Sequence, residues 1–201
     1  MNEHIFGRVE EKALVLALLK EEAVVTLTGP GGIGKTTLAL ALAHETPWPW
    51  WFISLVNVGN AELIVHALAQ ELGLPDGHRT EQHIIAFFNR TPGLLVLDNF
   101  EHLMAGVSIV ATLVAKCPEL KILVTSRERL QLREEVVVEV PPLPLAEAVS
   151  LFQWHVSRTL PQFRVSPENA GMVTKICQHW RAFRSLLNWR PHGCSSSHWK
   201  S

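Results

Sequence analysis

The sequence predicts a three-layer α/β fold, with a mostly parallel sheet between two layers of helices. Three observations carry this. Short apolar runs alternate with amphipathic stretches through the first 140 residues, a glycine-rich turn joins the first run to a helix, and a later run ends in a buried-type acid. Strands that alternate with helices build crossover units, and strands apolar along their whole length suit a sheet covered on both faces.

Taken in order, Val24–Thr28, Trp51–Val56, Leu94–Leu97, Lys121–Thr125 and Val136–Val140 read as strands. Between and around them, Glu10–Lys20, Thr36–Glu45, Ala61–Leu72, Glu81–Asn89 and Glu101–Lys116 read as helices. After Pro141-Pro142-Leu143-Pro144 only helical patterns follow, Ala146–Thr159 and Pro167–Trp180. The prolines mark a boundary between a sheet domain, residues 1–141, and the start of a helical one, residues 142–179.

With 201 residues, 47% of them hydrophobic, and a formal net charge of −1, the chain has the material for a core. Its composition excludes disorder and a general basic surface for nucleic acid or membrane. The charge is uneven: residues 181–201 hold four basic side chains and no acid, while residues 1–180 hold 14 basic and all 19 acidic ones. Cys117, Cys177 and Cys194 form no Cys-x-x-Cys pair and fit a reducing compartment. The N-terminus is acidic where a signal peptide is basic, and Ala13–Leu19 is too short to span a bilayer, so a cytoplasmic location is expected. No paired histidine spacing for a metal and no Gly-x-Ser-x-Gly elbow occur.

Gly29-Pro30-Gly31-Gly32-Ile33-Gly34-Lys35-Thr36 matches G-x-x-x-x-G-K-[ST] at each fixed position, with a strand before it and a helix after it. Glycines let main-chain N–H groups approach phosphate oxygens, and Thr36 and Thr37 open a helix whose positive end favours anions. Lys35 is expected to reach the β- and γ-phosphates, and the Thr36 hydroxyl to hold Mg²⁺. Asp98, at the carboxyl end of its strand, is the second candidate for the metal. The residue after it, Asn99, is an amide and cannot accept a proton from water. Glu101 is a substitute base or else a first-turn helix acid. Thr125-Ser126-Arg127 ends another strand, and its hydroxyl and guanidinium are candidates to sense a γ-phosphate, Arg127 above all.

Together, Phe6-Gly7-Arg8, the phosphate loop, Leu97-Asp98-Asn99-Phe100-Glu101-His102, Val124-Thr125-Ser126-Arg127-Glu128 and Pro142-Leu143-Pro144-Leu145 resemble the ATPase module of STAND-class proteins. These are the NB-ARC or AP-ATPase-like domains, and the likeness is to those of LuxR-type bacterial regulators. It covers roughly residues 5–179. It implies a P-loop NTPase fold with five strands in the order 5-1-4-3-2, ATP and ADP with Mg²⁺ as ligands, and a switch activated by exchange and self-association. Arg8 then helps to hold the nucleoside, although Val9 follows it where the family has an acid. Adenine is expected as the base on this resemblance. No direct nucleic-acid or membrane contact is expected of this segment.

The family continues after the helix at Asn169–Gln178 with Gly-Leu-Pro-Leu-Ala, which is absent here. Arg181–Gly193 can be back-translated so that the same letters, read two bases on, encode Gly-Leu-Pro-Leu-Ala-Ile-Glu-Leu-Ala-Ala-Ala-Arg. The segment from about His179, and the tail 180–201 as a whole, is therefore expected to be out-of-frame translation; a genuine Trp-bearing tail on nucleic acid is the alternative. Two further readings of the chain stay open. One is a competent ATPase doing mechanical work, and the other an inactive nucleotide-binding remnant.

Overall fold

Residues 6–182 of the chain are described by a computed structural model. Five strands, β1 (Val24–Thr28), β2 (Trp50–Ser54), β3 (Leu94–Asp98), β4 (Lys121–Thr125) and β5 (Glu135–Glu139), form one sheet of order β2-β3-β4-β1-β5. All four pairings are parallel. This is the expected order, read from the opposite edge. Each strand lies within two residues of its predicted span.

Side chains alternate across the sheet with period two, and each face has its own core. Val24, Ile53, Leu95, Leu97, Ile122 and Val124 point to one side. There they meet α3 (Ile64–Glu71), α4 (Glu81–Arg90) and α5 (Val107–Lys116), through Leu68, Phe88 and Leu113 among others. Val25, Leu27, Leu94, Val96 and Leu123 point to the other side. They meet α1 (Val9–Glu21) and α2 (Lys35–Glu45), through Val15, Leu19, Leu38 and Leu42. Covered on both faces, β3 has no exposed position, which accounts for its unbroken apolar run. The cluster Trp48–Phe52 packs as well: Trp51 meets Phe87 and Phe88 edge-on, with centroids 5.4 and 5.3 Å apart.

The helix predicted over Glu101–Lys116 is shorter. Residues Phe100–His102 and Met104–Gly106 form two 3₁₀ turns, and α5 starts at Val107. At Gly106 a Cβ would run into Ile64, so the chain must pass close to α3 before the regular helix begins. The stretch Ala61–Leu72 likewise opens with a 3₁₀ turn, where Leu63 N–H donates to the Asn60 side chain at 3.2 Å. At the C-terminal end, Ser166 N–H donates to Asn169 Oδ1 at 2.8 Å, closing a turn that delays α7 (Ala170–Ala182) by three residues relative to Pro167.

The helices α6 (Leu145–Thr159) and α7 pack on each other, with the Cys177 thiol directed at Ala148 O, 3.7 Å away. The N-terminal segment leans on this pair: Phe6 meets Trp154 edge-on at 6.0 Å, and Gly7 (φ 66°) lies against Glu147 and Leu143. Cys117 and Cys177 are buried free thiols, and burial raises both above the ordinary thiol value. Cys194 and the expected out-of-frame tail lie outside the described residues, apart from the last residues of α7. Among the described residues, no helix is long and apolar enough to cross a membrane.

Candidate functional site

The parallel register brings the carboxyl ends of β1, β3 and β4 to one edge of the sheet. Leu27 lies beside Thr125, and Leu97 beside Val124. The loop Gly29–Gly34 leaves β1 at this edge and feeds α2. Gly29 (φ 142°) turns the chain where a Cβ would meet Val140 O at 3.3 Å, and Gly34 (φ 99°) starts α2 from a left-handed conformation that suits only glycine. Thr36 and Thr37 then stand exposed in the first turn of α2, where helix N–H groups have no partner within the helix.

Lys35 folds back over the loop. Its Nζ donates to Gly29 O at 2.7 Å and to Pro30 O at 3.1 Å, and the residue is 9% exposed. Burial pulls the ammonium below the usual lysine value. Glu101 and Asp98 oppose that pull, while Arg127 adds to it. The four groups therefore share one electrostatic neighbourhood.

Asp98 is almost fully buried, and its Oδ1 accepts two hydroxyl hydrogen bonds, from Thr36 and from Thr125, each at 2.6 Å. Thr125 Oγ1 in turn accepts from Asn99 N–H at 2.9 Å. The Thr36 hydroxyl and Asp98 carboxylate are hard oxygen donors at a spacing near the about 2.9 Å edge of a magnesium octahedron. Among the described residues, no group of three or more His, Cys, Asp or Glu could hold a metal. A magnesium ion here would complete its shell with phosphate and water oxygens, as that ion does beside nucleotides.

Thr125 has a role that the sequence pattern did not reveal. Its hydroxyl donates to Asp98 and accepts from the backbone N–H of Asn99. Only the β3–β4 register discloses this. Thr125→Val keeps the shape and removes the hydroxyl, leaving Asn99 N–H without its acceptor. The expected loss is about 1–3 kcal/mol in denaturant unfolding of the isolated chain.

Glu101 and Arg127 form an ion pair, Nε to Oε1 at 3.0 Å. Glu101 lies in the first turn of the 3₁₀ helix that follows β3. Arg127 leans over the loop, with Nη2 3.3 Å from where a Cβ on Gly31 would sit. Asn99 takes the left-handed conformation (φ 66°), and its side chain lies 3.4 Å from the His102 ring, whose Nε2 meets Val58 O. Arg8 is buried. It pairs with Glu11 at 2.8 Å and donates to Ile33 O at 3.2 Å, tying the segment before α1 to the loop.

A parallel sheet, a glycine loop running from β1 into α2, and a neighbouring strand whose acid meets the loop's threonine together define a P-loop NTPase. The chain belongs to the AAA domain family, whose profile matches residues 18–133. It is 39% identical over 168 residues to a Mycobacterium tuberculosis protein provisionally named an HTH-type transcriptional regulator, covering 81% of this chain and 19% of the relative. It is 36% identical over 180 residues to an uncharacterized protein of the same species, covering 86% and 46%. The chain thus spans a fifth to a half of these relatives.

Three solved structures share the fold. A STAND protein with a tetratricopeptide repeat sensor from Pyrococcus horikoshii aligns over 90% of this chain and 28% of its own, with TM-score 0.55 and 19% identity. Cdc6p from Pyrobaculum aerophilum aligns over 75% and 49%, with TM-score 0.58 and 14% identity. A Walker-type ATPase of Pyrococcus abyssi aligns over 88% and 64%, with TM-score 0.61 and 18% identity. The segment is an AAA-type P-loop ATPase domain, with homologues named as transcriptional regulators.

Proposed function

We propose that this domain is an ATP/ADP-binding switch within a larger signal-transduction ATPase of the NB-ARC, LuxR-regulator kind, acting in the cytoplasm. The observation that carries the reading is the 2.6 Å contact between Thr36 and Asp98 beside the folded-back Lys35. Gly29, Gly31, Gly32, Ile33, Gly34, Thr36 and Thr37 hold the phosphates by main-chain and hydroxyl groups, and Lys35 exchanges its two carbonyl partners for phosphate oxygens. Thr36 and Asp98 hold Mg²⁺, which when bound screens the charge of the phosphates. Arg127 faces the γ-phosphate, and Arg8 keeps the loop in shape beside the nucleoside.

Turnover is slow, because Asn99 follows Asp98 where hydrolysing relatives carry a base, and its amide accepts no proton. Self-association belongs to the parent protein; the small share of the relatives that this domain spans supports a larger parent. The tail beyond about residue 179 is an out-of-frame rendering of the next family segment. Sequencing the gene across codons 179–193 decides that point, and codons incompatible with the second reading refute it.

Calorimetric titration of ADP and of a non-hydrolysable ATP analogue, with Mg²⁺ and with EDTA, tests the switch. Binding that weakens in EDTA is expected, and no heat with either nucleotide overturns it. The position of Glu101 beside Arg127 favours one second reading, a competent hydrolase with Glu101 as base. Rapid steady-state turnover abolished by Asp98→Ala would select it over the switch.

A further inference from the structure

We propose that Glu101 sets the nucleotide preference of the site by competing with the γ-phosphate of ATP for Arg127. The inference rests on the reading above that this loop binds nucleotide. It adds a device by which the resting chain favours the diphosphate.

The two partners are unequally exposed. Glu101 stands on a short turn pinned by Phe100, which is fully buried, and by the left-handed Asn99 immediately after β3. Its side chain is 16% exposed, and its second oxygen, Oε2, is buried with no hydrogen-bond partner. The Arg127 side chain is 64% exposed and meets Glu101 through Nε, while Nη2 rests over Gly31. Arg127 is the part that moves, and it is already at the mouth of the loop.

A guanidinium is one rigid plane with five N–H donors and a single positive charge, which a carboxylate and a phosphate both attract. A diphosphate leaves the Arg127–Glu101 pair undisturbed. A triphosphate places a third anionic group beside Arg127, and as the rigid guanidinium plane shifts toward it the pair loosens and Glu101 keeps less of its counter-charge. A ligand can shift a two-state contact only by its differential affinity for the two states. Here that difference is the γ-phosphate's contact with Arg127 less the pair it breaks. ATP affinity is reduced relative to ADP by the strength of the pair, and weakening Glu101 raises ATP affinity selectively.

The experiment titrates ADP and β,γ-imido-ATP, each with Mg²⁺, into the full chain and into Glu101→Gln, Arg127→Ala and the double variant. The readout is the ratio of the ADP to the imido-ATP dissociation constant. Glu101→Gln is expected to raise this ratio about two- to fivefold, the range of an ion pair with one exposed partner. Arg127→Ala lowers it, and adding Glu101→Gln to Arg127→Ala changes it no further. Glu101→Asp, which retracts the carboxylate by one methylene, moves the ratio in the same direction as Gln and stands in if Gln fails to fold.

An unchanged ratio in both Glu101 variants overturns the competition. So does an equal rise with and without Arg127, which would mean that Glu101 acts on the nucleotide directly. Wild-type chain that binds neither nucleotide overturns the underlying reading and this one with it. Wild-type binding with an unmoved ratio refutes the competition alone.

Discussion

Lys35→Ala is expected to raise the dissociation constant for either nucleotide at least about a hundredfold, since it deletes charge-assisted hydrogen bonds to phosphate. The same substitution should leave the apo chain folded, with a melting temperature within about 2 °C of wild type, because losing the two carbonyl contacts of Lys35 is offset by relieving the burial of its ammonium. Calorimetry and thermal unfolding on the same samples check both halves. A loss of binding together with a collapse in stability would mean that Lys35 supports the loop and not the ligand.

Lys35 also gives the site a pH dependence. Its ammonium loses its proton below the usual lysine value, chiefly through burial, and phosphate binds the charged form. Affinity should be flat below that lowered pKa and fall as pH rises through it, with binding then accompanied by proton uptake. Titrations on the alkaline side in buffers of different ionisation enthalpy detect the uptake, and Lys35→Ala should abolish it.

Asp98→Ala has the second large effect. Asp98 is 4% exposed and accepts from two threonine hydroxyls, so its loss strands the buried Thr125 hydroxyl beside a small void. Stability should fall by about 1–3 kcal/mol in denaturant unfolding. Binding should lose its magnesium dependence, so that affinities measured in EDTA and in Mg²⁺ converge. Asp98→Asn keeps the volume and one acceptor oxygen, so it should recover much of the stability while the magnesium dependence stays lost. That split separates the carboxylate's charge from its packing.

Much of this protein was legible in its amino-acid order, because the signals involved are local. An apolar run such as Leu94–Leu97 reads as a doubly covered strand, since no position in it tolerates water. Glycines at 29 and 34 announce a turn that no other residue adopts cheaply, and Asp98 stands out as an acid closing an apolar strand. The start of α5 was not legible, because Glu101–Lys116 has helical spacing throughout. The close approach of Gly106 to Ile64, a contact between segments some forty residues apart, breaks the helix there.

The sequence alone therefore determined the strands, the phosphate loop and the chemistry of its side chains, each written in a few neighbouring residues. Only the tertiary structure decided which of those side chains meet. Sheet order and register set Thr125 and Thr36 on one oxygen of Asp98, the fold joined Arg8 to the loop at Ile33, and Arg127 met Glu101. Hydrogen bonds and ion pairs act over about 3 Å, and no periodicity along a chain reports distances between strands that are far apart in sequence.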